Sequence, residues 1–229
     1  MQRTVKLRKP RFRRFTNVQL LVALVLLFFF FPFVEEVKGG DIIVSILLSL
    51  VLLSAVLAVA DRKRLLVIAI VLAIPAIAGR WISHFRPDLV PPPVFLTAGL
   101  VLIAFVVANL LRFVLRAPSV NVEVLCASIS AYLMLGLLWT VAYWLVDQLI
   151  PGSFAFNPNE GRQSIHGFNA FYFSFVTLST VGYGDITPVS KVARMLAAME
   201  AMTGLLYVAV LIARLVALYS SPKSDDPSA

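Results

Sequence analysis

Long apolar runs separated by short polar segments constrain this chain more than any other feature. A helix needs about 20 apolar residues to cross a bilayer, and in lipid only helices and closed barrels satisfy their own backbone groups. The chain is 60% hydrophobic with a mean hydropathy of +0.90, which is far above the range of soluble domains. We therefore predict an all-α membrane protein with six spans, at residues 18–34, 42–60, 65–79, 94–111, 122–146 and 192–219.

The distribution of basic residues predicts the orientation of these spans. With the N-terminus inside, 14 of the 20 Lys and Arg residues lie on the inner side and 6 on the outer side. This bias follows the positive-inside rule. Residues 1–17 form a basic cytoplasmic tail that sets topology and could also contact anionic lipid headgroups, and residues 222–229 form a short cytoplasmic tail. Because the basic residues cluster beside apolar runs, we expect no nucleic-acid partner.

A glycine-spaced segment lies between the last two spans. It reads Thr-Leu-Ser-Thr-Val-Gly-Tyr-Gly-Asp from Thr177 to Asp185, and it follows a short stretch, 168–179, that could form about three helical turns. Glycine allows backbone conformations that a side chain forbids, so successive carbonyls could point toward one axis. Irregular backbone at membrane depth is tolerated only when buried in protein or lining a water-filled cavity. The pattern is therefore typical of a re-entrant pore segment.

This segment resembles the Thr-Val-Gly-Tyr-Gly signature of tetrameric potassium channels, and the resemblance covers about residues 120–219. It implies that the carbonyls of Thr180, Val181, Gly182 and Tyr183, with the Thr180 hydroxyl, bind K⁺, and that Gly184 completes the filter. One chain supplies a quarter of each oxygen ring. The resemblance therefore implies a homotetramer, with no cofactor other than potassium ions.

The same resemblance assigns roles around the filter. Asp185 is expected at the outer mouth, where Asp147 and Glu160 could add negative potential. The Tyr183 ring is expected to point away from the axis and to pack against aromatic residues of the pore helix. The matching aromatic positions in this chain are Tyr172 and Phe173.

An acidic residue within the last span suggests a second support for the filter. Several relatives place a Glu in the pore helix to pair with the outer Asp, but Val176 occupies that position here. Glu200 lies at a height that matches the back of the filter, and acids inside spans are functional hypotheses by default. We predict that Glu200 bonds to pore-helix hydroxyls such as Thr177 or Ser179. A role in permeation is the alternative.

The last span also carries candidates for gating. Gly204 matches the hinge glycine of the resembled inner helix, and we favour a gating hinge over the alternative of a glycine that only permits close packing. An apolar stripe at helical spacing could line the cavity and close it by dewetting, or it could simply pack on the fifth span. The stripe consists of Leu205, Val208, Ile212 and Val216.

Residues 18–116 are predicted to form a four-helix transmembrane domain of unknown role, followed by a pore domain at 117–221. The third span carries Pro75, and we predict that an interfacial loop begins at Arg80. The fourth span has no Arg or Lys between residues 94 and 111, so it lacks the arginine repeat of voltage sensors. Little or no intrinsic voltage dependence is expected.

These patterns predict a passive potassium-selective channel in a prokaryotic inner membrane, with both termini cytoplasmic. The alternatives are a weakly selective cation channel and a non-conducting receptor or scaffold with a pore-like fold. An enzyme is disfavoured because no constellation of acids, His and Ser suggests catalysis. One cysteine and two histidines are too few to suggest a metal cluster.

Overall fold

The computed structural model describes residues 16–35, 37–59, 63–86, 88–157 and 164–220. Six of its helices are long and apolar enough to cross a membrane, which confirms the predicted all-α membrane fold. The elements in chain order are α1 Thr16–Glu35, α2 Gly40–Ala58, α3 Lys63–Phe85, α4 Pro92–Arg116, α5 Val122–Leu149, β1 Phe154–Phe156, α6 Gly167–Leu178, β2 Ile186–Pro188 and α7 Lys191–Ser220. Most of the basic tail, Glu160 and residues 222–229 lie outside the described residues.

Local sequence signals explain the break between α4 and α5. Helix α4 ends at Arg116, just before Pro118, and proline cannot continue a helix. Helix α5 starts after Asn121, whose side chain accepts a hydrogen bond from the Val124 backbone N–H at 2.9 Å. Asparagine is a favoured residue at this capping position. The two helices are therefore joined by a short turn with a defined start and end.

The predicted end of the third span is wrong. The interfacial loop was expected at residues 80–93, but its first part is helical, because α3 continues through Arg80 to Phe85, and Pro75 lies inside the helix without ending it. The Arg80 side chain is satisfied within the helix packing, since its Nε donates to the Ser45 hydroxyl of α2 at 3.2 Å. A charged residue in an apolar run marks a loop only when nothing nearby satisfies it.

Helix α5 is the centre of the packing. Helices α1, α4 and α6 all pack against it, and α1 also contacts α6. Fully buried side chains such as Leu24 of α1, Leu102 of α4 and Met134 of α5 form the contact. Gly136 allows a close approach, because a Cβ there would overlap the ring of Phe175 on α6. Helices α1 and α4 are thereby joined through α5 to α6.

A two-stranded antiparallel ribbon, which the sequence analysis did not predict, joins the two sides of the re-entrant segment. Strand β1 pairs with β2 in a register that sets Ala155 opposite Thr187. The Val189 backbone N–H donates to the Ser153 carbonyl at 2.8 Å, which extends the ribbon. Strands of three residues are too short to show an alternating pattern. The ribbon fixes where the chain goes after it leaves the glycine-spaced segment.

Candidate functional site: the glycine-spaced segment

The backbone after α6 alternates in handedness. Thr180, Gly182 and Gly184 have φ values of 59°, 58° and 82°, while Val181 and Tyr183 between them do not have positive φ. Such alternation turns successive carbonyl groups to one side of the segment, which an ordinary strand does not do. The segment is tied to the end of α6 because the Val181 N–H donates to the Val176 carbonyl at 2.9 Å. Residues 180–184, called the strip below, therefore form a short run of backbone oxygens that starts at the C-terminus of α6.

Thr180 shows something that the sequence pattern could not reveal. The prediction assigned unusual backbone conformations to the glycines alone, yet this β-branched residue has φ +59°. A β-branched residue in that region is a genuine outlier, and holding it there costs about 1–3 kcal/mol. The surrounding contacts therefore impose the alternation on a residue that does not favour it.

Tyr183 turns back toward α6. Its ring stacks on Tyr172 with a centroid separation of 6.5 Å and an interplanar angle of 4°. Phe173, the other expected partner, instead packs edge-on against Tyr143 at 4.9 Å and Phe154 at 5.5 Å. The prediction for Phe173 was wrong because adjacent residues of a helix point about 100° apart, so one face cannot present both rings. Phe173 fills the space between α5, α6 and the ribbon.

Glu200 lies fully buried behind α6, with 0% of its surface exposed. One carboxyl oxygen is 2.6 Å from the Ser174 hydroxyl, and the Tyr143 hydroxyl donates to the other. The Ser174 hydroxyl also lies 2.7 Å from the Gly136 carbonyl. This network joins α5, α6 and α7 at a single point.

The predicted class of partner for Glu200 was right, but the predicted residues were wrong. The pore-helix hydroxyl is that of Ser174, not that of Thr177 or Ser179. The Ser179 hydroxyl bonds to the Phe175 carbonyl in the previous turn at 2.6 Å. Ser174 lies three residues before Thr177 and therefore faces α7 one turn earlier. The sequence analysis did not predict Tyr143 of α5 as a partner of Glu200.

Asp185 follows the strip and is held by the ribbon. Its carboxylate accepts the Ile186 backbone N–H at 3.0 Å, and its carbonyl accepts the Asn157 N–H at 3.1 Å. Asp147, the other described candidate for negative potential at the outer mouth, lies in the last turn of α5. Asp185, which directly follows the strip in sequence, is therefore held beside the end of the strip by these two hydrogen bonds.

Comparisons with known proteins agree with this geometry. Residues 131–221 match a family model described as "Ion channel". The chain is 33% identical over 84 residues to two pore potassium channel b of Oryza sativa subsp. japonica, covering 37% of this chain and 21% of that protein. It is 32% identical over 95 residues to the inward rectifier potassium channel Kirbac3.1 of Paramagnetospirillum magnetotacticum, covering 40% and 28%. Residues 131–221 are thus similar to ion channels, and these two relatives are named as potassium channels.

The likeness covers less than half of the chain. A third relative, two-pore potassium channel 4 of Arabidopsis thaliana, is 46% identical over 48 residues, which cover 21% of this chain and 17% of that protein. The chain thus spans well under a third of the length of these relatives. No solved structure matches the chain at a comparable level of significance. The family match does not reach the first four helices, which are described from their own geometry alone.

In the pore region, Gly204 is placed for close packing. A Cβ at this position would overlap the Leu178 carbonyl oxygen and lie 3.0 Å from the Leu178 carbonyl carbon at the end of α6. The close-packing interpretation of Gly204 therefore has a specific contact. Helix α7 runs without a break through this glycine from Lys191 to Ser220. The hinge interpretation stays a prediction.

The predicted gating stripe does not pack on the fifth span. Its four side chains are 44–61% exposed within one chain. The face of α7 that meets α5 carries Tyr207 instead, whose hydroxyl donates to the Ser128 carbonyl at 2.5 Å. Nearer the inner end, Arg214 donates to the Ala117 carbonyl at 2.9 Å. The exposed stripe consists of Leu205, Val208, Ile212 and Val216.

Proposed function

We propose that this protein is a passive, potassium-selective channel. The proposal rests mainly on the alternating backbone of the strip, which has positive φ at Thr180, Gly182 and Gly184. The Tyr183 ring stacks on α6. In this proposal the carbonyls from Thr180 to Tyr183 and the Thr180 hydroxyl replace the water around K⁺. Asp185 adds negative potential at the outer end. The relatives named as potassium channels support the choice of ion.

The proposed assembly is a homotetramer. One strip surrounds only part of an ion, and Val181 and Tyr183 are 53% and 72% exposed when a single chain is considered. The apolar stripe of α7 is uncovered as well. Four copies around one axis would bring the strips together and set the stripes around a central cavity, where Val216 could contribute an inner constriction. In this arrangement residues 117–221 form the pore domain and residues 18–116 surround it.

The proposed channel lacks steep voltage gating. Helix α4 has no Lys or Arg before Arg112, which lies near its inner end. Moving one charge through 100 mV yields about 2.3 kcal/mol, so steep gating requires several charges in the field. In this proposal both termini lie in the cytoplasm and the strip lies on the outer side of a plasma membrane, and the bias of Lys and Arg supports this orientation.

Flux through liposomes tests the proposal. Purified protein in liposomes should release K⁺ and retain Na⁺, and Gly182→Ala should abolish the flux because the strip needs positive φ at this position. Gly39→Ala is the matched control. Gly39 also has positive φ, at 87°, and a Cβ added there would meet nothing within 4 Å, but this glycine precedes α2 far from the strip in sequence.

The same assay separates the alternatives. Equal release of Na⁺ and K⁺ would show a weakly selective cation channel. No flux from protein that elutes as a tetramer would favour a receptor or scaffold. Loss of flux in both glycine variants would mean that backbone strain in general, rather than the strip, abolishes activity.

A further inference from the structure

A cavity of about 390 Å³ lies away from the strip, between α2, α3, α4 and α5. It extends to Gly167, the first residue of α6, and Phe31 of α1 forms part of its wall. Its polar residues lie toward the ends of α2 and α3 that are predicted to be outside. The cavity therefore joins the four-helix domain to the start of the pore helix.

Arg80 is a positively charged residue in the wall of the cavity. Its Nε donates to Ser45, and its guanidinium lies over the Trp144 ring of α5 at 5.4 Å from the centroid. These contacts fix the plane of the guanidinium. Its two terminal nitrogens donate to no group among the described residues. A preorganised fork of donors facing a cavity suits a phosphate, which accepts two parallel hydrogen bonds.

An acid lines the same cavity. Asp41, at the outer end of α2, is a wall residue, and within the described part of the chain no ion pair joins it to Arg80. A purely anionic ligand would bring like charge toward this carboxylate. A ligand that carries both signs would instead leave neither charged group unpaired.

The wall formed by α2 carries polar residues from its start as far as Ser49 and only apolar residues after it. Asp41, Ser45 and Ser49 follow one another at intervals of one turn with Val44 and Leu48 between them, and Val51 and Leu52 come after the last serine. The far wall is apolar too, with Ile103 of α4. An ion or a small hydrophilic solute would make no favourable contact with these apolar walls. The gradient fits a molecule with a polar head and a hydrocarbon chain.

We propose that the cavity binds a phospholipid with a phosphoethanolamine headgroup. The phosphate accepts hydrogen bonds from the terminal nitrogens of Arg80, and the ammonium group donates to the Asp41 carboxylate. Part of one acyl chain lies against the leucines of α2. The proposal concerns binding alone, so it holds or fails independently of conduction.

Native mass spectrometry of the purified protein in detergent tests the proposal. We expect phosphatidylethanolamine to bind about tenfold more tightly than phosphatidylglycerol, which has the phosphate but no ammonium group. Arg80→Gln should weaken binding of phosphatidylethanolamine at least about tenfold. Arg86→Gln is the matched control, because Arg86 directly follows the same helix, is exposed and does not line the cavity. Asp41→Asn should abolish the preference between the two lipids.

A second variant guards against misfolding. Ser83 lines the cavity, so Ser83→Phe should fill it and weaken binding of phosphatidylethanolamine while leaving Arg80 in place. If Arg80→Gln does not elute as the wild type does, Ser83→Phe decides the outcome. Water-soluble phosphoethanolamine and diacylglycerol should each compete poorly, because each offers half of the ligand. Equal binding of both phospholipids, or unchanged binding in Ser83→Phe, would overturn the proposal.

Discussion

The protonation state of Glu200 follows from the number of hydroxyl protons available for the hydrogen bonds around Ser174. The Ser174 hydroxyl has a single proton, yet it lies 2.7 Å from the Gly136 carbonyl and 2.6 Å from a carboxyl oxygen of Glu200. A backbone carbonyl cannot donate, so a linear bond at both contacts requires the carboxyl group to supply one of the protons. Tyr143 donates to the other carboxyl oxygen. We therefore expect Glu200 to be a neutral carboxylic acid.

This protonation state predicts different effects for two substitutions. Glu200→Gln retains the pattern, since its amide nitrogen can donate to Ser174 while its carbonyl accepts from Tyr143. The free energy of unfolding should change by less than about 1 kcal/mol. Glu200→Ala leaves the fully buried Tyr143 hydroxyl without an acceptor, which costs about 1–3 kcal/mol, and removes a buried methylene worth about 0.8 kcal/mol. With the residual cavity, roughly 3 kcal/mol or more should be lost.

Two measurements test this reasoning. Thermal unfolding of the purified protein should give similar midpoints for wild type and Glu200→Gln and a clearly lower midpoint for Glu200→Ala. The infrared difference spectrum of wild type minus Glu200→Gln should contain the carbonyl stretch of a protonated carboxyl group. If the difference shows carboxylate bands instead, or if Glu200→Gln is as unstable as Glu200→Ala, the hydrogen counting is wrong.

Three further predictions concern the pore region and α4. Gly204→Ala should push α7 away from the Leu178 carbonyl and destabilise the protein by about 1–3 kcal/mol in thermal unfolding, whereas Gly99→Ala, where nothing lies within 4 Å of a Cβ, should not. Tyr172→Leu removes the stacking on Tyr183, worth about 0.5–1.5 kcal/mol, and should reduce K⁺ over Na⁺ selectivity in liposome flux, while Tyr172→Phe should preserve it. The conductance of reconstituted protein should change only shallowly with voltage, and a steep curve in planar bilayers would contradict the inference drawn from α4.

The positions of the helices could be predicted because lipid leaves few choices for an apolar run. The short helix predicted at 168–179 is observed as Gly167–Leu178. The same reasoning failed at Arg80, because the hydropathy of a segment contains no information about a hydrogen-bond partner on another helix. Ser45 is 35 residues away in sequence, and its hydroxyl keeps Arg80 within α3.

The site was predictable to the extent that one short motif encodes it. The motif indicates the strip, and the helical period limits which aromatic residue can reach Tyr183. It does not encode the partners behind the strip, since the contact between Glu200 and Tyr143 joins residues 57 positions apart. The left-handed backbone of Thr180 has no sequence signal outside the motif, because threonine ordinarily avoids that region.

The pore helix α6 is held from two sides by different parts of the same chain. On one side, the Phe28 ring of α1 meets Phe171 and Phe175 edge-on at 4.7 Å and 4.5 Å, and Gly136 lets α5 approach the Phe175 ring. On the other side, Glu200 of α7 bonds to the helix through Ser174. The strip begins where this helix ends, so a displacement of α1 reaches the strip through the phenyl contacts rather than through a linker. Helix α1 therefore forms part of the packing that positions α6 and, through α6, the start of the strip.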